Sequence, residues 1–131
     1  MYRILFCLAF FTPIIASAQI TTARADPEFI HQAAVQSPLP MYPTTSIRDM
    51  HHGVAVVQVL ISSSGTTSDI KVLQSPDAAI ADSVAIALKS WRFKPFTAEG
   101  RATIKLQTRF IFYFDLDKSG PHVTDALRST F

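Results

Sequence analysis

The side chains able to do chemistry are few and scattered. His51 and His52 are adjacent, so they project in different directions, and neither has a Cys or a carboxylate at metal-ligand spacing in the sequence. They read as solvated loop residues. Asp115 and Asp117 stand two apart after an apolar run, with no acid or base partner to infer, and read as a polar terminator. Ser62, Ser63 and Ser64 precede Gly65, and turn formation accounts for them. No Gly-x-Ser-x-Gly, Gly-rich phosphate loop or zinc motif occurs. The expectation is therefore no catalytic residue, no metal site, no cofactor and no small-molecule substrate.

The remaining function classes are those of binding. The chain has 131 residues, enough for one domain, with 48% hydrophobic and 17% charged residues, ten Phe and one Trp. That is the profile of a folded globule. Its net charge of +2 is spread without a basic run able to track a phosphate backbone, so nucleic acid is not an expected partner.

Arg3 precedes an apolar stretch from Ile4 to Ile15, followed by Ala16, Ser17 and Ala18. This layout is that of a signal peptide, residues 1–18, with cleavage after Ala18 and export across a membrane. The alternative is an uncleaved membrane anchor, but the stretch is short of the roughly 20 residues a spanning helix needs, and Thr12 and Pro13 interrupt it. Cys7, the single cysteine, has Leu5 and Phe6 before it instead of the small residues of a lipidation site. Once cleaved, the domain has no disulfide and depends on its apolar core.

Residues 19–40 lack a helical or strand period and hold Pro27, Pro38 and Pro40, so they read as a mostly irregular linker, with a short helix over 29–35 as an option. A domain over 41–116 comes next. Pro43 suits the first turn of a short helix reaching Met50, and Gly53 ends it. Val54 to Ile61 is almost wholly apolar and rich in β-branched residues, with Ala55, Val57, Val59 and Ile61 on one face. A turn at 62–66 leads to a half-buried strand around Asp69–Val72, completing a hairpin.

Ser75-Pro76-Asp77 predicts a helix start, with Ser75 as N-cap. Ile80, Val84, Ala87, Leu88 and Trp91 recur at spacings of three and four on one side, until Pro95 stops the helix. A third strand runs from Thr103 to Phe114, its oily face carrying Phe110, Phe112 and Phe114. Residues 117–131 form a C-terminal tail.

These motifs together resemble the C-terminal domain of the TonB family. Met41-Tyr42-Pro43 is similar to the family's entry Tyr-Pro, and Gly53, the alternating strand and Gly65 match its Gly, strand and turn Gly. Trp91-Arg92-Phe93-Lys94-Pro95 resembles its Trp-Arg-Phe followed by Pro. The resemblance implies an α+β fold: a three-stranded antiparallel sheet, ordered second, first, third, with two helices on one face.

On that resemblance the third strand is a free edge, and a partner adds a strand to it by main-chain hydrogen bonds. Thr103, Lys105, Gln107, Arg109 and Ile111 then form the partner-binding edge. The implied partner is an envelope protein such as a TonB-dependent outer-membrane transporter, and the implied location is the periplasm, free after cleavage or anchored in the inner membrane and facing the periplasm. The competing expectations are a self-associating dimer, since Val54, Val56, Leu60 and Leu73 make an apolar sheet face, and an anchored energy transducer if residues 1–18 are retained.

Overall fold

The computed structural model describes residues 21–96 and 104–127. In chain order these form β1 (Thr21–Arg24), α1 (Pro27–Gln32), β2 (Ala34–Gln36), α2 (Thr44–Arg48), β3 (Gly53–Ile61), β4 (Thr67–Gln74), α3 (Ala78–Lys89), β5 (Arg92–Phe93), β6 (Ile104–Asp117) and β7 (Gly120–Asp125).

The antiparallel order β6-β3-β4 is the one expected, with Val57 opposite both Val72 and Phe110. Its core arises from two-residue alternation. Ala55, Val57 and Val59 of β3 and Phe110, Phe112 and Phe114 of β6 are buried on one face, against Ile80, Val84 and Leu88 of α3. The helix starts two residues later than expected. Asp77, not Ser75, is its N-cap, its Oδ1 accepting the Ile80 N–H at 2.7 Å.

Trp91 lies beyond the helix, whose C-cap is Ser90, yet it is fully buried. Its ring packs on Phe110 at 4.8 Å and edge-on to Phe112 at 5.9 Å. Its indole N–H donates to the Pro38 carbonyl at 2.9 Å, so the core also fixes the segment entering the domain. Gly65 is required by close approach. At φ 87° it carries a backbone that L side chains rarely adopt, and a Cβ there would lie 2.0 Å from the Phe93 carbonyl oxygen.

Three expectations need correction. The main sheet has five strands and is mixed: β1 runs parallel to β6 and β7 antiparallel to it, both on the side away from β3. The segment read as a mostly irregular linker folds into β1, α1 and β2, giving three helices among the described residues. β2 pairs with β5, and Ile30 of α1 enters the core. The tail forms β7, which returns on β6 through a turn in which the Ser119 N–H donates to Asp117. Short length hid these elements, since strands of three to six residues carry too little periodicity to read.

Candidate partner-binding edge

The four described residues of the expected edge differ in what stands beside them. Thr103 lies outside the described residues. Lys105 is half-buried opposite Thr22, its Nζ 4.0 Å from Asp69 Oδ2. Gln107 is opposite Arg24, and its carbonyl accepts the Ala25 N–H at 3.0 Å. Arg109 is exposed, with neither a β1 nor a β7 residue opposite it. Ile111 is exposed, and its carbonyl accepts the Ala126 N–H at 3.0 Å.

The outer side of β6 is thus covered at 104–107 by β1 and at 112–117 by β7. Between them, at 108–110, no described residue pairs with the outer side of the strand. Residues on a strand alternate sides, so the main chain of Arg109 points the same way as that of Gln107 and Ile111. A cavity of about 290 Å³ opens there, lined by Arg24, Ala25, Pro27, Gln107, Thr108 and Arg109. Thr108 is 4% exposed, and its Oγ1 has no hydrogen-bond partner among the described residues. A buried hydroxyl left unpaired is a cost the fold bears at this position.

The titratable groups that looked isolated in the sequence are joined by the fold. Asp77 Oδ2 accepts the Ser46 hydroxyl at 2.6 Å and lies 2.7 Å from His51 Nδ1. Burial pushes the Asp77 carboxyl up, but the bonds from Ser46, the Ile80 N–H and His51 outweigh it and hold the group below its ordinary range. Ser46 is fully buried and donates to the carboxylate instead of to the imidazole, so the trio ties α2 to the start of α3 and offers no nucleophile.

His122 Nε2 lies 3.8 Å from Asp115 and 3.7 Å from Asp117, all three being substantially exposed. Bonds from the Ser119 hydroxyl and N–H keep the Asp117 carboxyl below its ordinary range. Tyr42 packs edge-on to Phe114 and donates to the His51 carbonyl at 2.5 Å. Burial, then the carboxylates of Asp115 and Asp77, push its hydroxyl up. Among the described residues, no group of three or more His, Cys, Asp or Glu is placed to hold a metal ion. No helix among them is long and apolar enough to cross a membrane.

A hairpin, a helix laid across it and a long third strand, with the Trp91 ring between them, invite comparison with known folds. The family model described as Gram-negative bacterial TonB protein C-terminal matches residues 38–116, more than half of the chain.

The chain belongs to the TonB C-terminal family.

The solution NMR structure of the Pseudomonas aeruginosa TonB C-terminal domain is similar to it, with a TM-score of 0.53 and 29% identity. The similarity covers 65% of this chain and 86% of that one. A search of curated proteins gives no match. The TonB C-terminal family is one of protein-interaction domains of the Gram-negative envelope. The matched span begins after β2 and ends before β7, so the two strands that flank the Arg109 opening both lie outside it.

Sequence reading located the strand correctly and missed its neighbours. It also missed His31, whose Nε2 lies 2.9 Å from Asp125 Oδ2 and joins α1 to the end of β7. No spacing in the sequence links positions so far apart.

Proposed function

We propose that this TonB C-terminal domain is a periplasmic protein-binding module that engages an outer-membrane transport partner by strand addition on the outer side of β6. Lys105, Gln107, Arg109 and Ile111 flank the incoming strand; Thr103, expected with them, lies outside the described residues. The observation that carries the reading is the pairing of β1 with β6: a four-residue parallel strand is held there, so this side of β6 is competent to pair. A cleaved domain binds its partner without transmitting force. Retention of residues 1–18 instead makes it an anchored transducer.

A second reading, self-association, is favoured by one feature. Val54 is opposite Tyr113 and Val56 opposite Ile111 on the sheet face that α3 does not cover, and Tyr113 and Ile111 are exposed.

Gln107→Pro separates the two. The Gln107 carbonyl points to β1, so its N–H does too, and proline there removes an outer-edge donor while leaving the β3 ladder intact. The folded variant is expected to lose capture of an outer-membrane transporter from an outer-membrane extract. Undiminished capture rules out the β6 edge. Capture of its own copies alone, with a concentration-dependent dimer, replaces the first reading with the second.

A further inference from the structure

We propose that β1 is an exchangeable occupant, in cis, of the partner-binding side of β6, and that the strand which replaces it is acidic where β1 carries Arg24. The proposal rests on the edge reading above and adds its regulation and the chemistry of the partner.

The parallel pairing is short, four residues against four, whereas β3 pairs with β6 over nine positions. β1 nevertheless fits its place. Ala23 is opposite Leu106, and both Ala23 and Ala25 are partly covered, while Thr22 and Arg24 are exposed. The side facing the helices therefore takes small residues at alternate positions.

The segment leaving β1 is loosely seated. Past the last β1–β6 bond, from the Ala25 N–H to the Gln107 carbonyl, a 290 Å³ cavity opens beside Pro27, Thr108 and Arg109. A second, apolar pocket of about 240 Å³ lies between α1 and the segment from Phe93 to Phe96, beside Leu106. Phe29 of α1 is 65% exposed. Voids of this kind forfeit the dispersion contacts that would lock a segment in place. The tether that keeps β1 near β6 is instead the closed segment behind it: β2 pairs with β5, and His31 reaches Asp125. Such a tether holds a strand at an effective concentration on the order of millimolar, enough to exclude weak competitors without sealing the edge.

Charge supplies the partner's character. Arg24 lies opposite Gln107, on the face that also presents Lys105 and Arg109, and neither Arg24 nor Arg109 has an ion pair among those found in the described residues. The resident strand therefore places Arg24 in a row with Arg109 and with Lys105, the latter already offset by Asp69 at 4.0 Å. A replacement strand with a carboxylate at that position turns repulsion into attraction and gains over β1 by that difference.

The test uses two synthetic peptides with the sequence of residues 19–26, one native and one carrying Arg24→Glu, titrated against the full chain and its Ala23→Pro variant. Ala25 donates to β6, so by alternation Ala23 does as well, and proline removes that donor. The Glu peptide is expected to bind Ala23→Pro about tenfold or more tighter than the unaltered chain, the factor set by a cis strand in place about nine-tenths of the time. It is also expected to bind tighter than the native peptide.

Equal affinity for the two chains overturns cis occupancy while leaving the edge reading intact. Equal affinity of the two peptides overturns the acidic assignment. Binding to neither chain overturns the edge reading itself. A Thr22→Cys, Lys105→Cys pair in a Cys7→Ser background serves if Ala23→Pro does not fold: oxidation is expected to abolish peptide binding and reduction to restore it, and binding indifferent to oxidation overturns the proposal.

Discussion

His31 and Asp125, ninety-four positions apart, meet at 2.9 Å between Nε2 and Oδ2, with the Asp125 side chain fully buried. Asp125 Oδ1 accepts the Leu127 N–H at 3.0 Å, and the His31 ring stands edge-on to Trp91 at 6.3 Å. The contact closes the two ends of the domain over β6.

Removing one partner of such a pair leaves the other buried and unsatisfied, which costs more than the bond itself contributes. His31→Ala is expected to lower stability by about 1–3 kcal/mol. In urea this appears as a lower midpoint at unchanged slope. A midpoint equal to that of the unaltered chain would mean that the pair does not hold the N-terminal segment.

Asp77 contributes a pH-dependent term. Its folded carboxyl lies below the ordinary value despite the opposing effect of burial, so its stabilisation is present above the unfolded pKa of about 4 and is lost as pH falls through the folded value. Asp77→Asn is therefore expected to be less stable than the unaltered chain at neutral pH, with the gap narrowing in acid. Asp77→Ala, which also removes the N-cap, costs about 1–2 kcal/mol. Thermal unfolding of the three proteins at matched pH measures this, and a gap that widens in acid would reverse the sign assigned here.

Gly65→Ala places a methyl group against the Phe93 carbonyl and forces an L residue to φ 87°. The loss should exceed about 1 kcal/mol, the scale of an incompatible glycine replacement. It should also free the Phe93 N–H, which donates to the Gly65 carbonyl at 2.9 Å. Faster amide exchange at Phe93 than at β3 residues reads this directly.

Trp91→Ala empties the centre of the aromatic cluster and leaves the Pro38 carbonyl without its donor. A loss of about 3–5 kcal/mol is expected. Trp91→Phe should recover part of the packing and none of the Pro38 bond. Equal stability of the two variants would show that the ring, whatever its shape, is not what anchors this segment.

N-terminal sequencing tests the proposed cleavage after Ala18: the mature product is expected to begin at Gln19. An intact Met1 would restore the anchored arrangement.

Wherever burial alternates over a long stretch, the sequence determined the element. Val54 to Ile61, the Phe110, Phe112 and Phe114 row and the Ile80, Val84, Leu88 stripe each declare which face is buried, because desolvation acts on every residue of the run. The family likeness was legible for the same reason, as Gly65 and Trp91 occupy positions that only one backbone and one core accept. Tertiary structure alone decided which strands stand on the outer side of β6, away from β3. β1 and β7 are four and six residues long, and their stability comes from the main-chain donors and acceptors of β6 instead of from a pattern of their own. An edge is free or occupied according to what else the chain brings to it, and pairing between Thr21–Arg24 and Ile104–Gln107 is a long-range contact that no local spacing encodes.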